Sequence, residues 1–283
     1  MCFIKYMSSV NSVNNFQNYS NLQNFQSRQN KNAVTFGQYS EPVGGKDEPK
    51  PEKAVLALLL LQLAASGLEK ASRWCGDKLM AGKEFAPAQD VVKVAQRMVG
   101  DNKLNVDVQF VNPHNIRKFP EALRDSLVKV ARGENAFYND AFKLAVAPEK
   151  KPSLILHELG HAINSTKGKL LKFMQKSRIY KAYVPTAVLM ATQMADESGI
   201  KSDFIKNNAG IIGFLSFLPT ILEEGLASLR GIKAAKNVLG KAANLKPLKR
   251  NYLAAWLTYL IAGLGVGVAS KMAVLSGGNP NNK

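Results

Sequence analysis

The sequence predicts an α+β fold that is mainly helical, with a small β-sheet and several hydrophobic helices. Three observations lead to this prediction. Apolar residues recur at helical spacing in several stretches, two short stretches alternate apolar and polar residues as strands do, and four longer stretches carry almost no charge. With 283 residues, 46% of them hydrophobic, the chain can bury a sizeable core.

The first part of the chain, residues 1–52, is predicted to be a disordered tail and linker. Residues 8–40 are rich in Asn, Gln and Ser and nearly free of charge, and residues 41–53 add Pro, Gly and charge. Such a segment buries too little apolar surface to offset the entropy that it would lose on ordering. Residues 53–283 are therefore expected to form a single membrane-associated domain.

Two helices and two strands are predicted between residues 84 and 148. Residues 90–99 form an amphipathic helix and residues 120–131 a second one, with apolar faces made by Val91, Val94, Ala95 and Met98 and by Leu123, Leu127 and Val130. Apolar residues alternate with polar ones over 104–110, and alternation returns at Phe142, Leu144 and Val146. These elements are expected to form a compact core.

Four apolar stretches are candidates for hydrophobic helices: residues 54–68, 183–195, 209–222 and 252–270. The last is the strongest candidate for a membrane span, because its nineteen residues carry no charge and include Trp256. The other three are short for a span. We expect a multi-pass membrane protein. Two alternatives stay open, a soluble cytoplasmic protein with these stretches in its core and a hairpin that dips into one leaflet.

The formal net charge of +17 has three common explanations: nucleic acid, an anionic membrane surface, or the cytoplasmic loops of a membrane protein. No nucleic-acid partner is expected, because arginines do not interleave with aromatic residues and no zinc-finger spacing occurs. Membrane lipid is the expected partner. The positive-inside rule would place the basic runs 167–181 and 230–250 in the cytoplasm, and the nearly neutral link 196–208 outside.

The motif HELGH at residues 157–161 carries the clearest chemistry. His157 and His161 are four residues apart, so on a helix they share one face and can bind one Zn²⁺. Glu158 lies beside that face, where it can take a proton from a water that the zinc activates. An apolar stripe opposite the histidines would let the helix bury one side and show the metal side to a cleft. The remaining histidine, His114, is expected to be a solvated loop residue.

A catalytic zinc normally has three protein ligands and one open position, so a third ligand is expected later in the chain. The sequence EEGLAS at residues 223–228 follows directly on the apolar stretch 209–222. Together with HELGH it resembles the gluzincin zinc metallopeptidases, in which a Glu within Glu-x-x-Ala completes the ligand set. The match here is Glu224, followed by Ala227. The most similar members are membrane-embedded: bacterial neutral zinc peptidases and the heat-shock and CAAX-processing peptidases.

This resemblance implies a zincin-like catalytic core and a zinc endopeptidase that acts on a protein or peptide. The positive-inside rule would place its active site on the cytoplasmic side. One Zn²⁺ would be held by His157, His161 and Glu224, and Glu158 would be the general base. The sequence NAF at residues 135–137 is similar to the entry of the family's edge strand. The segment 141–146 is expected to bind the substrate backbone, and an ordinary structural strand stays open as the alternative.

Two residues beside Glu224 bear on this assignment. Glu223 competes with it as a ligand, but adjacent helical residues point about 100° apart, so only one is expected to face the metal. Glu223 is expected to be solvated or paired with a basic residue. Ser228 stands where many relatives carry an acidic residue that orients a ligand histidine, so that hydrogen bond should be weaker or come from elsewhere.

Two other functions remain open at this point. The first is a catalytically silent membrane protein in which the zinc is structural. The second is a basic adaptor at the membrane surface that needs no metal. The sequence predicts neither the identity of the substrate nor the oligomeric state.

Overall fold

The computed structural model describes residues 51–276, so nearly all of the predicted tail lies outside the described residues. The elements are, in chain order, α1 Pro51–Ala81, α2 Ala88–Asp101, β1 Asp107–Val111, α3 Arg124–Ala131, β2 Phe137–Asn139, β3 Leu144–Pro148, α4 Leu154–Thr166, α5 Lys169–Lys176, α6 Val184–Glu197, α7 Asp203–Leu239 and α8 Lys246–Ser276. Short 3₁₀ segments occur at Ile116–Lys118, Glu121–Leu123 and Ser177–Tyr183. Within the described residues, helix accounts for 74% and the sheet has three strands, which confirms the mainly helical class with a small β-sheet.

Both predicted amphipathic helices are present. In α2 the buried side chains are the four that the pattern named, and they pack against α4 in the main core. The second helix begins as a 3₁₀ turn and continues as α3, with Leu123, Leu127 and Val130 buried. Helical periodicity therefore identified the buried faces correctly, because it depends only on spacing along the chain.

The sheet has the order β1-β3-β2, with β1 parallel and β2 antiparallel to β3. All five residues of β3 are buried. The prediction that residues 141–146 bind the substrate backbone is therefore wrong. Residues 141–143 form the turn between β2 and β3, and residues 144–146 are already paired on both sides. The edge strand that packs on α4 is β2.

The first strand is shorter than its pattern. Alternation began at Leu104, whereas β1 begins at Asp107. Leu104 is buried but lies in the connection from α2, and Val111, at the end of β1, is the strand's buried residue. Alternation thus identified the strand but not its ends.

The four apolar stretches lie in α1, α6, α7 and α8. Residues 209–222 are not a separate helix, because α7 runs without interruption through Pro219 and on past Glu224. Helix α8 packs along α7, where Gly267 lies against Gly210 and Gly263 against Phe217. Among the described helices, α7 and α8 are long and apolar enough to cross a membrane. Helix α6, with 14 residues, is shorter than a span.

Candidate metal centre

Helices α4 and α7 cross at the motif and bring the three predicted ligands together. His157, His161 and Glu224 each offer one ligand atom, and these atoms lie within 4.8 Å of one another. Glu224 Oε2 is 3.1 Å from His157 Nε2 and 3.5 Å from His161 Nε2. This buried group could hold a metal ion. His114, exposed in the loop after β1, does not belong to it.

The histidine face of α4 does not open onto a cleft as expected. Ten consecutive residues of α4, from Ile155 to Asn164, are buried, and α7 covers the face that carries the histidines. His157 is 7% exposed, Glu158 6% and His161 5%. The apolar stripe correctly predicted one buried side. The stripe could not predict that a second helix, α7, covers the opposite side of α4.

Each histidine has a partner on α7 for its Nδ1 atom. Ser228 Oγ lies 3.0 Å from His157 Nδ1, and His161 Nδ1 donates to Glu223 Oε1 at 2.8 Å. With both Nδ1 atoms engaged, both Nε2 atoms are directed at Glu224. Such partners fix the orientation of ligand histidines and increase their basicity. Two oriented imidazoles and one carboxylate are a donor set that fits zinc.

These contacts bear on what was expected of Ser228 and of Glu223. Ser228 does orient a candidate ligand histidine, His157, as a neutral hydroxyl in place of a carboxylate. The acidic orienting group is instead Glu223, and it serves the other histidine. Glu223 was expected to be solvated or paired with a basic residue, and its ion pair with Arg178 confirms the second of these, with the carboxylate fully buried.

Three side chains around Glu223 were missed in the sequence. Asn164 Nδ2 donates to Glu223 Oε1 at 2.8 Å, Gln175 Nε2 donates to the same oxygen at 2.9 Å, and Arg178 pairs with Oε2. Asn164 could have been found, because it lies three residues after His161 on the same helical face. Gln175 and Arg178 follow in a lysine-rich run, and nothing in that run separates inward from outward side chains.

Arg178 also orients the carboxylate of Glu224 relative to the two histidines. Its Nη2 atom is 2.6 Å from Glu224 Oε1, while Glu224 Oε2 faces the two histidines. One carboxylate oxygen is thus held by a cation and the other is directed at the candidate metal position. The carboxylate is fully buried and the Arg178 side chain is 32% exposed, so these opposite charges attract more strongly than the same pair would on a fully exposed surface.

Burial and the neighbouring charges shift the pKa values of Glu158 and His161. Burial raises the pKa of the Glu158 carboxyl, and the positive charge that His161 and His157 can carry only partly offsets this effect. Burial lowers the pKa of His161, but the carboxylates of Glu223 and Glu224 outweigh it and raise that pKa to about 10. Without metal, a proton on His161 therefore balances part of the carboxylate charge.

A dependence of metal affinity on pH follows from the protonated His161. The ring must lose its proton to bind a metal, so the apparent dissociation constant for zinc should fall about tenfold for each pH unit from about pH 7 to about pH 9. Zinc titration against a competing chelator, corrected for the chelator's own protonation, measures this. A dissociation constant that does not change with pH would contradict the assignment.

The free energy of unfolding of the metal-free protein should depend on pH through the same proton on His161. The pKa of His161 rises from 6.5 to about 10 on folding. The stabilisation is therefore fully present below pH 6.5 and is lost as the pH rises through about 10.

Gly160 makes the close crossing of α4 and α7 possible. A Cβ atom on residue 160 would lie 2.3 Å from the carbonyl oxygen of Ala227 and 2.7 Å from its Cα atom. Gly160→Ala should force the two helices apart, lower the free energy of unfolding by about 3 kcal/mol and weaken metal binding. Thermal unfolding and zinc titration measure both effects.

Gly100→Ala in α2 is the matched control for Gly160→Ala. A Cβ atom at Gly100 would meet nothing within 4 Å. This variant should be neutral or more stable by about 0.5–1 kcal/mol, because alanine favours the helix. Equal effects of the two substitutions would mean that the crossing is not tight.

Comparisons of the chain with protein-family models, with curated proteins and with solved structures found no match. The resemblance to gluzincins therefore stays a prediction from the two sequence motifs.

Proposed function

We propose that this protein is a zinc-dependent endopeptidase embedded in a membrane. The observation that carries the proposal is the convergence of His157, His161 and Glu224, with both histidines oriented through Nδ1. Glu158 follows His157 directly on α4 and interacts electrostatically with all three. A metal site with an adjacent carboxylate on the HExxH helix is the arrangement that hydrolyses peptide bonds.

Glu158 is the proposed general base. Bound at the three ligands, zinc would supply a Lewis acid that activates water and polarises the peptide carbonyl. Glu158 would accept the proton of the attacking water and return it to the leaving amine. Its raised pKa favours this role, because a group that titrates nearer the working pH both accepts and releases a proton readily.

In this proposal the substrate backbone binds along the edge strand β2. This strand lies at the edge of the sheet and packs on α4, which carries Glu158. Its outer backbone groups can pair with an extended peptide, and residues 135–137 lead into it as in the relatives that the chain resembles. The substrate class is therefore an extended protein or peptide segment.

The ring of Tyr252 lies beside that of His157, with 5.6 Å between their centroids. Its hydroxyl donates to the carbonyl of Ser153 at 2.7 Å. Tyr252 therefore supports α4 and is not our candidate for assisting the oxyanion.

The membrane part of the proposal rests on α7 and α8 and on the surface around them. Large apolar side chains of α6 and of the first half of α7 are more than half exposed: Met190, Met194, Ile211, Leu215 and Leu222. An apolar surface of this extent is typical of a membrane or protein contact. The basic run 167–181 contacts the metal site, so the positive-inside rule favours a cytoplasmic site.

One observation favours the alternative of a catalytically silent metal protein. His157, His161, Glu158 and Glu224 are each at most 7% exposed, whereas a catalytic zinc keeps a position open to substrate. In that case the metal would stabilise the crossing of α4 and α7 without hydrolysing a substrate.

Peptide cleavage by the zinc-loaded full chain decides between these functions. The protein in detergent is incubated with denatured proteins and a peptide library, and new termini are identified by mass spectrometry. We expect cleavage that a chelator abolishes and added zinc restores. Bound zinc without cleavage would overturn the peptidase proposal and leave the silent alternative.

A further inference from the structure

The segment between α4 and α6 has an unusual charge. Between Glu158 and Asp196 the sequence contains no acidic residue. The basic residues in this interval are Lys167, Lys169, Lys172, Lys176, Arg178 and Lys181. We refer to residues 167–183, which contain all six, as the belt segment.

The inner side of the belt segment is fixed to α7 and α4. Gln175 Nε2 donates to the carbonyl oxygen of His161 at 2.8 Å, and Arg178 pairs with Glu223. Lys181 donates to the carbonyl of Ser216, and its ammonium group lies 5.5 Å from the centre of the Phe217 ring. These contacts use two of the six cations and fix which side chains of the segment face outward.

The outer side combines lysines with large apolar residues. The four remaining lysines are exposed. Five large side chains of the segment are each 61–70% exposed: Leu170 and Phe173 between the lysines, and Ile179, Tyr180 and Tyr183 after them. Aromatic residues with an apolar body, together with lysines whose long stems reach outward, are the side chains that settle at the boundary between lipid and water.

The belt segment lies at one end of the apolar part of α7. Its inner contacts reach α7 between Ser216 and Glu223. From Phe204, at the opposite end, to Leu222 the helix rises about 27 Å, which is close to the thickness of a bilayer's hydrocarbon core. Residues 196–206 at that opposite end carry three acidic and two basic residues. Strong positive charge therefore occurs at only one of the two ends.

We infer that the belt segment is a docking surface for the anionic phospholipid headgroups of the leaflet nearest the metal centre. The exposed lysines would pair with lipid phosphate and carboxylate groups, and Phe173 and its apolar neighbours would enter the boundary of the acyl chains. Charge complementarity selects this occupant, because the outer side offers four exposed ammonium groups on a segment without acidic residues of its own. The carboxylate of Asp140, on a neighbouring turn, interacts with one of the four, Lys172. The inference deepens the membrane part of the proposed function and requires no peptidase activity.

Hydrogen exchange of the full chain in lipid nanodiscs tests this surface. One set of discs contains phosphatidylcholine alone, and the other also contains about 30% phosphatidylglycerol. Backbone exchange in residues 169–176 should be about tenfold slower in the anionic discs, and about 0.5 M salt should remove most of the difference. Recovery of the chain with the discs reports membrane association separately, so its failure would count against the membrane proposal itself.

Two four-lysine variants sharpen the test. In the first, Lys167, Lys169, Lys172 and Lys176 are replaced by Gln, and the extra protection in anionic discs should be lost. In the matched control, four exposed lysines elsewhere, Lys93, Lys103, Lys233 and Lys236, are replaced, and the protection should remain.

Three outcomes would overturn the inference. Equal protection in neutral and anionic discs would mean that the segment buries apolar surface without recognising charge. Free exchange in both discs, with the chain recovered in them, would leave the surface to an acidic protein or another partner. Loss of protection in both variants would reduce the effect to overall charge.

Discussion

Glu158→Gln is expected to lower peptide hydrolysis by about 10³-fold while the zinc content stays at the wild-type level. Glutamine has the same size and stays polar in this buried position, but its amide cannot accept the proton of the attacking water. Metal analysis and single-turnover cleavage on the same preparation separate binding from chemistry. Unchanged cleavage would show that Glu158 is not the base, and lost zinc would show that it belongs to the ligand set.

Glu84→Gln is the control for removal of a buried carboxyl group. Glu84 is half-buried, burial raises its pKa, and it accepts hydrogen bonds from the backbone and hydroxyl of Ser153, just before α4. The glutamine oxygen can still accept one of these bonds. Hydrolysis should therefore stay within a few-fold of wild type, because Glu84 is not part of the metal group.

Arg178→Met is expected to lower the free energy of unfolding of the metal-free protein by about 3–5 kcal/mol. Glu223 and Glu224 are both fully buried, and Arg178 pairs with both. Removing the guanidinium leaves two adjacent carboxylates without that cation and away from water. Denaturant or thermal unfolding in the presence of a chelator measures the loss. Zinc should restore part of it, because the ion supplies positive charge at the same place.

Arg97→Met supplies the comparison for an exposed pair. Arg97 pairs with Asp101 on the surface of α2, where both side chains are more than half exposed. Its removal should change the free energy of unfolding by less than about 1 kcal/mol. If Arg178→Met had an equally small effect, the buried carboxylates would have to be stabilised by some other group.

The parts of the site that were predictable are those that lie within one helix or one motif. His157 and His161 share a face because of the helical period alone, and the buried residues of α2 followed from the same period. Glu224 is 67 residues away from His157, and only the resemblance to a known motif connected them. Spacing along the chain carries no information on contacts over such a distance.

The errors arose where a local pattern had to specify a neighbour in space. Alternation marked β3 as a strand but could not show that β1 and β2 lie on both sides of it. Ala145 and Ala147, apolar on the face opposite Leu144 and Val146, were the available sign of burial on both faces. The burial of Glu223 was not predictable for a similar reason, because its partner, Arg178, lies in a run that resembles a solvated surface.

The metal content of paired Glu224→Gln and Glu223→Gln variants tests the central claim most directly. After equilibration with buffered zinc, the wild-type chain should hold one zinc ion and Glu224→Gln close to none. Glu223→Gln should still bind zinc, about 10–100-fold more weakly, because Glu223 orients His161 without contacting the metal. One zinc ion per chain in Glu224→Gln, or none in the wild type, would contradict a site built from His157, His161 and Glu224.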